Sequence, residues 1–251
     1  MAKLTLLEMT QDIMSDMSDD DVTSIDDTIE SLQVAQIIKS TYFELMGRRN
    51  WPHLRTLQTL TEVADTDTPT HMTIPALTKE IEWVKYDVAK SGETRTKFTT
   101  IKYLPPDKFL ATVNNYNDDN SNVDTITDPS GVIFNIKNDV APTYWTSFDD
   151  EYIVFNSYDS DVETYLATAK TQTSAFVEPS WSMTDAHTPD MPSEMFPTLL
   201  AEAKSTCFLR LKDVLDRKAE QQSKRGMTWL AAKAGRAEGG LRGPNYGRRG
   251  N

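Results

Sequence analysis

The sequence predicts an α+β protein: a helical bundle of two N-terminal helices plus a long C-terminal helix, an inserted antiparallel β domain, and a flexible C-terminal arm. Three observations predict it. Apolar residues near both ends of the chain recur at three- and four-residue steps, as one face of a helix requires. Between them lie short segments rich in β-branched and aromatic residues, punctuated by Asp, Asn, Pro and Gly, as antiparallel strands are. The last stretch, GRAEGGLRGPNYGRRGN, holds six of the ten glycines and four arginines in a chain of net charge -12.

The first helix is carried by Leu6, Leu7, Met9, Ile13, Met14 and Met17. SDMSDDDVTSIDD interrupts it, and Ser24 with Asp27 resembles a capping box with Asp in place of Glu. A second helix of roughly 22 residues, or ~33 Å, is expected from Ile25 to Met46, with Ile25, Ile29, Leu32, Val34, Ile38, Phe43 and Leu45 as its apolar face. Gly47 is a plausible C-cap, and Trp51-Pro52 should stop the helix.

In the middle, TIPALTKEIEWVKYDVA, KFTTIKYL, GVIFNIK, PTYWTSF and EYIVFNSY read as strands. Asp149 and Asp150 sit at a hairpin, and DPSG from Asp128 to Gly131 is a turn with Pro second. One short helix is expected from Pro106 to about Asn114, and ATAKTQTSAFVEP supplies a last strand. A further helix then has Leu200, Ala203, Cys207, Leu211 and Val214 as its seam, widened by Phe208 and Leu215. It turns polar at DRKAEQQSKRG, and MTWLAAKAGRAE after Gly226 reads as a separate short apolar stretch. The expected domains are residues 1–54 with 185–234 for the helices, 55–184 for the β block, and 235–251 for the arm.

Charge is uneven. From Arg217 onward nine basic residues face two acidic ones, which gives +7 and leaves -19 for everything before. Such asymmetry points to a C-terminal segment that meets a different partner from the body. The acidic body argues against a protein whose main surface grips phosphates, because that binding depends on Lys and Arg neutralising the backbone. No apolar run approaches the ~18 residues of a membrane span, and MAKLTLLEMTQD turns polar too soon for a secretory leader. With one cysteine, Cys207, there is no internal disulfide, and synthesis in a reducing cytosol is the simple expectation.

Signs of catalytic chemistry are few. His53, His71 and His187 lie in separate contexts without cysteine partners, so they read as surface or turn histidines rather than zinc ligands. Cys207 sits in an apolar helical pattern and reads as a small buried hydrophobe. NDDNSNVD lacks the position-six glycine and closing Glu of a calcium loop. Asp149 with Glu151 is the first carboxylate pair a hydrolase would use, although strand alternation favours a solvated face. No Walker loop, GxSxG elbow or dinucleotide fingerprint occurs. The expectation is no enzyme, no catalytic residue, no cofactor and no metal.

DDTIESLQVAQIIKSTYFELMGRRNWPHLR, IPALTKEIEWVKYDV, EYIVFNSYD and DMPSEMFPTLLAEAKSTCF together resemble the head-to-tail adaptor of short-tailed phages, the tail tubular protein A family. The resemblance covers most of residues 1–225 in order. It implies a virion structural protein forming a homo-oligomeric ring, commonly of twelve copies, between the portal at the capsid vertex and the tail nozzle. DNA would pass through its lumen as transiting cargo, tail fibres are further potential partners, and no membrane is involved. C-terminal segments in such rings can reach the portal. The sequence departs from smaller members in its longer middle and extended basic end. Portal contact is accordingly expected from Met227, Trp229 and Leu230, then Arg236, Leu241, Arg242, Tyr246, Arg248 and Arg249. Met227 to Leu230 read equally well as the last turn of the monomer core. The arm alternatives are a nucleic-acid tail of arginine and glycine or a tolerated terminus. For the whole chain, the alternatives are another tail component, such as a nozzle or fibre-docking protein, and a virion-carried wall-degrading hydrolase.

Overall fold

The structure, a computed structural model, describes residues 3–17, 21–117 and 120–238. The protein is α+β, and its contacts divide it into two units, Met1–Leu54 with Pro179–Asn251, and Arg55–Glu178.

In the first unit, α1 (Leu6–Met17) buries Leu6, Met9, Thr10, Ile13 and Met14, the spacing of one helical face. It opens with a reciprocal pair of local bonds: Glu8 N donates to Thr5 Oγ1 at 3.2 Å and Thr5 N to Glu8 Oε2 at 2.7 Å. α2 (Ile29–Gly47) starts four residues later than the sequence suggests. Its capping box is Thr28 with Ser31, whose N donates to Thr28 Oγ1 at 3.0 Å while Thr28 N donates to Ser31 Oγ at 3.1 Å. Asp27 instead closes the preceding turn, accepting from Thr23 N at 2.6 Å and Ser24 N at 2.9 Å. Ile29 is consequently 80% exposed and Phe43 39% exposed, so neither belongs to the apolar face; Val34, Ala35, Ile38, Tyr42, Leu45 and Met46 do. Gly47 lies inside the helix and Arg48 is the C-cap. Trp51, buried, donates its Nε1 to Leu45 O at 2.9 Å and so satisfies a carbonyl that the helix end would leave unpaired.

The expected single C-terminal helix is two. α4 (Phe196–Lys212) ends on Asp213 in the left-handed conformation, φ 53°. α5 (Arg217–Glu238) then starts on Asp216, whose Oδ1 accepts from Lys218 N and Ala219 N, each at 3.0 Å. Val214 and Leu215, expected in the seam, fall in this break and are 54% and 63% exposed. α5 runs unbroken through Gly226, and Gly235 to Glu238, expected in the arm, belong to the helix. Ile13, Ile38, Phe196, Leu199, Cys207 and Leu230 share one core. Complete burial of an aliphatic side chain such as Ile38 contributes on the order of 1.5–3 kcal/mol.

Among the described residues, the second unit holds ten strands and one α-helix: β1 (Arg55–Gln58), β2 (Thr61–Glu62), β3 (His71–Thr73), β4 (Thr78–Asp87), β5 (Phe98–Tyr103), α3 (Pro106–Val113), β6 (Val123–Thr127), β7 (Ile133–Lys137), β8 (Tyr144–Thr146), β9 (Tyr152–Phe155) and β10 (Thr171–Val177). Eight strands form one sheet in the order β1-β10-β4-β5-β8-β9-β3-β2, and β6 and β7 form a hairpin. The DPSG turn closes that hairpin, with Gly131 N on Asp128 O at 2.7 Å and Gly131 at φ 85°. The β8–β9 hairpin pairs Trp145 with Phe155. The sheet is mixed rather than purely antiparallel, because β5 and β8 run parallel, Lys102 opposite Tyr144. A parallel pair needs a crossover connection; here it carries α3 and the β6–β7 hairpin. Phe109 of α3 packs edge-on to Phe134 and Phe148, sealing a core that includes Tyr86, Ile101 and Phe155.

Candidate functional site

Trp229 is the most distinctive exposed feature of the helical unit. The spacing of Lys218, Gln222, Arg225 and Trp229 along α5 places them on one stripe of the helix. Opposite them, the start of α4 supplies Pro197 and Thr198, and the cleft between has a volume of about 560 Å³. Its floor depends on Gly226: a Cβ there would fall deep inside the van der Waals radius of Thr198 Oγ1 and 3.0 Å from its Cγ2. The two helices approach closely because no side chain separates them. Trp229 is 49% exposed, with the Lys233 ammonium 5.4 Å from its ring centroid.

The expected portal-contact residues separate accordingly. Leu230 is 3% exposed within the core and Met227 packs against that core, so both act as monomer packing. Trp229 alone of the three faces outward. The side chain of Arg236, and Leu241, Arg242, Tyr246, Arg248 and Arg249, lie outside the described residues. A second, more apolar cleft of about 280 Å³ lies between Trp51 and His53 on one side and Leu230 and Ala234 on the other.

The chemistry-bearing residues of the body are mostly engaged in structure. Burial pushes the Cys207 thiol up to about 12, far from the thiolate a nucleophile requires. Asp149 Oδ1 accepts from Glu151 N and Tyr152 N, each at 3.0 Å, and thereby shapes the hairpin turn, while Glu151 is exposed. His53 and His187 are half-buried, and burial holds both below the ordinary histidine range. Asp118 and Asp119 of NDDNSNVD lie outside the described residues, and among those described no three His, Cys, Asp or Glu side chains gather as metal ligands. No described helix is long and apolar enough to cross a membrane.

His71 corrects the expectation of a surface histidine. It is 2% exposed and its Nε2 donates to Asp128 Oδ1 at 3.0 Å, tying β3 to the β6–β7 turn. Asp128 also accepts from Ser130 N at 2.8 Å and from Ser130 Oγ. Burial raises the carboxyl pKa, but these hydrogen bonds outweigh it and hold Asp128 below the ordinary carboxylate range. Tyr86 and Glu163 form a second polar pair, the Tyr86 hydroxyl donating to Glu163 while Lys170 Nζ lies 3.4 Å from the same carboxylate. Both pairs join residues more than fifty positions apart, so no local pattern announces them.

In comparisons with known proteins, no family model matches the chain and no curated sequence matches it.

Proposed function

We propose that the protein is a ring-forming head-to-tail adaptor of a short-tailed phage, joining the portal to the tail nozzle with DNA passing through its lumen. In this reading the helical bundle builds the ring, and the inserted β domain faces the nozzle and fibres. The observation that carries it is the apolar surface left exposed on the helical unit, beside that of the β unit at Leu57, Leu77 and Ile133. Ile29, Leu209, Val214, Leu215 and Trp229 all project from the helical unit, at 80%, 50%, 54%, 63% and 49% exposure. Large apolar side chains exposed on several helices of one unit favour cover by another chain.

The charge split supports the same reading. A body of -19 suits a conduit, because repulsion keeps passing DNA from adhering. The +7 C-terminal portion begins at α5 and gives the portal a separate, oppositely charged contact. The arginines that follow Trp229 along the chain, from Arg236 on, are the proposed portal-binding residues, and no cofactor or metal takes part.

Native mass measurement and negative-stain imaging, with and without portal-bearing heads, test the proposal. A closed ring seated on the heads is the expected result, and a chain that stays monomeric even on the heads refutes it. Removing residues 236–251 should leave a folded body that attaches more weakly; unchanged attachment would remove the arm from the portal contact.

A further inference from the structure

Four cations of α5 border the Trp229 cleft or its neighbourhood. Lys224 pairs with Glu220 at 2.6 Å, and Lys233 pairs with Glu194. Lys218 and Arg225 are exposed, line the Trp229 cleft, and have no ion pair among the described residues. The cleft, whose one lining carboxylate, Glu194, is taken by Lys233, thus presents two uncommitted positive charges along the stripe that ends at a half-exposed indole. Such a surface fits an apolar knob that carries carboxylate, since the ring buries the knob and the cations meet the acid.

The same chain displays that knob. Ile29, 80% exposed, has the highest exposure of the large apolar side chains among the described residues. It stands at the first position of α2, beside Asp26, Asp27 and Glu30. Asp27 is committed to the amides of Thr23 and Ser24, and Glu30 to Lys212 at 2.9 Å. The Asp26 side chain is exposed and takes no bond among the described residues, so it is the free acid of the corner.

Resting on the ring reading above, we infer that a second copy of this chain docks its Asp26–Ile29 corner in the Lys218–Arg225–Trp229 cleft. Ile29 covers the Trp229 ring, and Asp26 faces Arg225 and Lys218. The two surfaces are unlike, so the contact is heterologous and each copy keeps one free cleft and one free corner. Repetition then gives a closed ring or an open filament rather than a dimer. A protein occupant is favoured over a phosphate backbone because the knob is complementary in both charge and polarity, whereas the chain as a whole is -12.

The test uses the full chain, with sedimentation velocity over a concentration series and imaging on portal-bearing heads. A cleft variant, K218S with R225S, and a corner variant, D26S with I29S, alter exposed side chains and should keep the wild-type circular dichroism. Each alone should weaken self-association at least tenfold. Mixed together, they should form a pair that grows no further, because the one good corner meets the one good cleft. Combining D26K with R225E in one chain should recover assembly. If both variants assemble as the wild type does, the inference fails while the ring reading stands. If the wild type is monomeric throughout, including on heads, both fail. If the cleft variant assembles normally but loses affinity for a short DNA duplex, the cleft is a nucleic-acid surface and the inference is overturned.

Discussion

Gly226→Ala offers the sharpest test of how the helical unit is built. Considered as an isolated helix position, the change should stabilise α5 by about 0.8–1.0 kcal/mol, the propensity advantage of Ala over Gly. The packing predicts the opposite sign. The new Cβ would press on Thr198 Oγ1, with Cγ2 at 3.0 Å and Thr198 Cβ at 3.1 Å. Rotating the Thr198 side chain exchanges Oγ1 for Cγ2 and leaves Cβ in place, and Thr198 is only 4% exposed, so it has little room. Overpacking of this kind costs about 1–3 kcal/mol. The balance is a net loss of roughly 0–2 kcal/mol, or up to about 8 °C in Tm at ~2–4 °C per kcal/mol for a chain of this size class. Thermal denaturation followed at 222 nm measures it. Thr198→Ala removes Oγ1 and Cγ2, so the double variant should recover the propensity gain and show a coupling of at least about 1 kcal/mol. A single Gly226→Ala variant more stable than wild type, with no coupling to Thr198, would refute the close-packed crossing of α4 and α5.

Three further outcomes follow from named contacts. Asp216→Ala should destabilise the helical unit by about 1 kcal/mol, and Asp216→Asn should restore most of the loss in urea denaturation, since Asn also caps. Trp51→Phe keeps the ring but strips the donor from Leu45 O, which should cost about 1–3 kcal/mol for a carbonyl left unpaired, read as a lower urea midpoint. Asp128→Asn should cost about 1.5–3 kcal/mol at neutral pH, the range for hydrogen bonds to a charged group. Because the folded pKa of Asp128 is depressed, its contribution is complete above the ordinary carboxylate value of about 3.9 and is lost as pH falls through the lower folded value. The gap between wild type and Asp128→Asn should therefore close below about pH 4; a gap independent of pH would show that Asp128 does not act as the ionised acceptor.

Much of the local structure was legible because its causes are local. The DPSG turn combines Pro at the second position with Gly131 at φ 85°, and the stretch from Pro106 makes α3 with Phe109 and Val113 on its buried side. α1 shows its buried face directly in the spacing of Leu6, Met9, Ile13 and Met14. At the start of α2, pattern alone misjudged the outcome. The expected cap was Ser24 with Asp27, but Thr28 with Ser31 caps α2, leaving Ile29 outside the core. Of the candidate contact residues, helical spacing grouped Met227, Trp229 and Leu230 but could not say that only Trp229 faces outward.

The amino-acid sequence by itself determined the alternation of helical and strand-forming segments, the acidic body with its basic end, and most turn positions, because side-chain periodicity, charge and turn chemistry act over a few residues. Tertiary structure decided the rest, where the energy lies in contacts distant along the chain. It carried α5 through Gly226 against Thr198 and set β5 parallel to β8 across a long crossover. It buried His71 on Asp128, fifty-seven positions away. It also paired Lys224 and Lys233 of α5 with carboxylates and left Lys218 and Arg225 free in the Trp229 cleft, since an ion pair depends on which carboxylate the fold brings within reach.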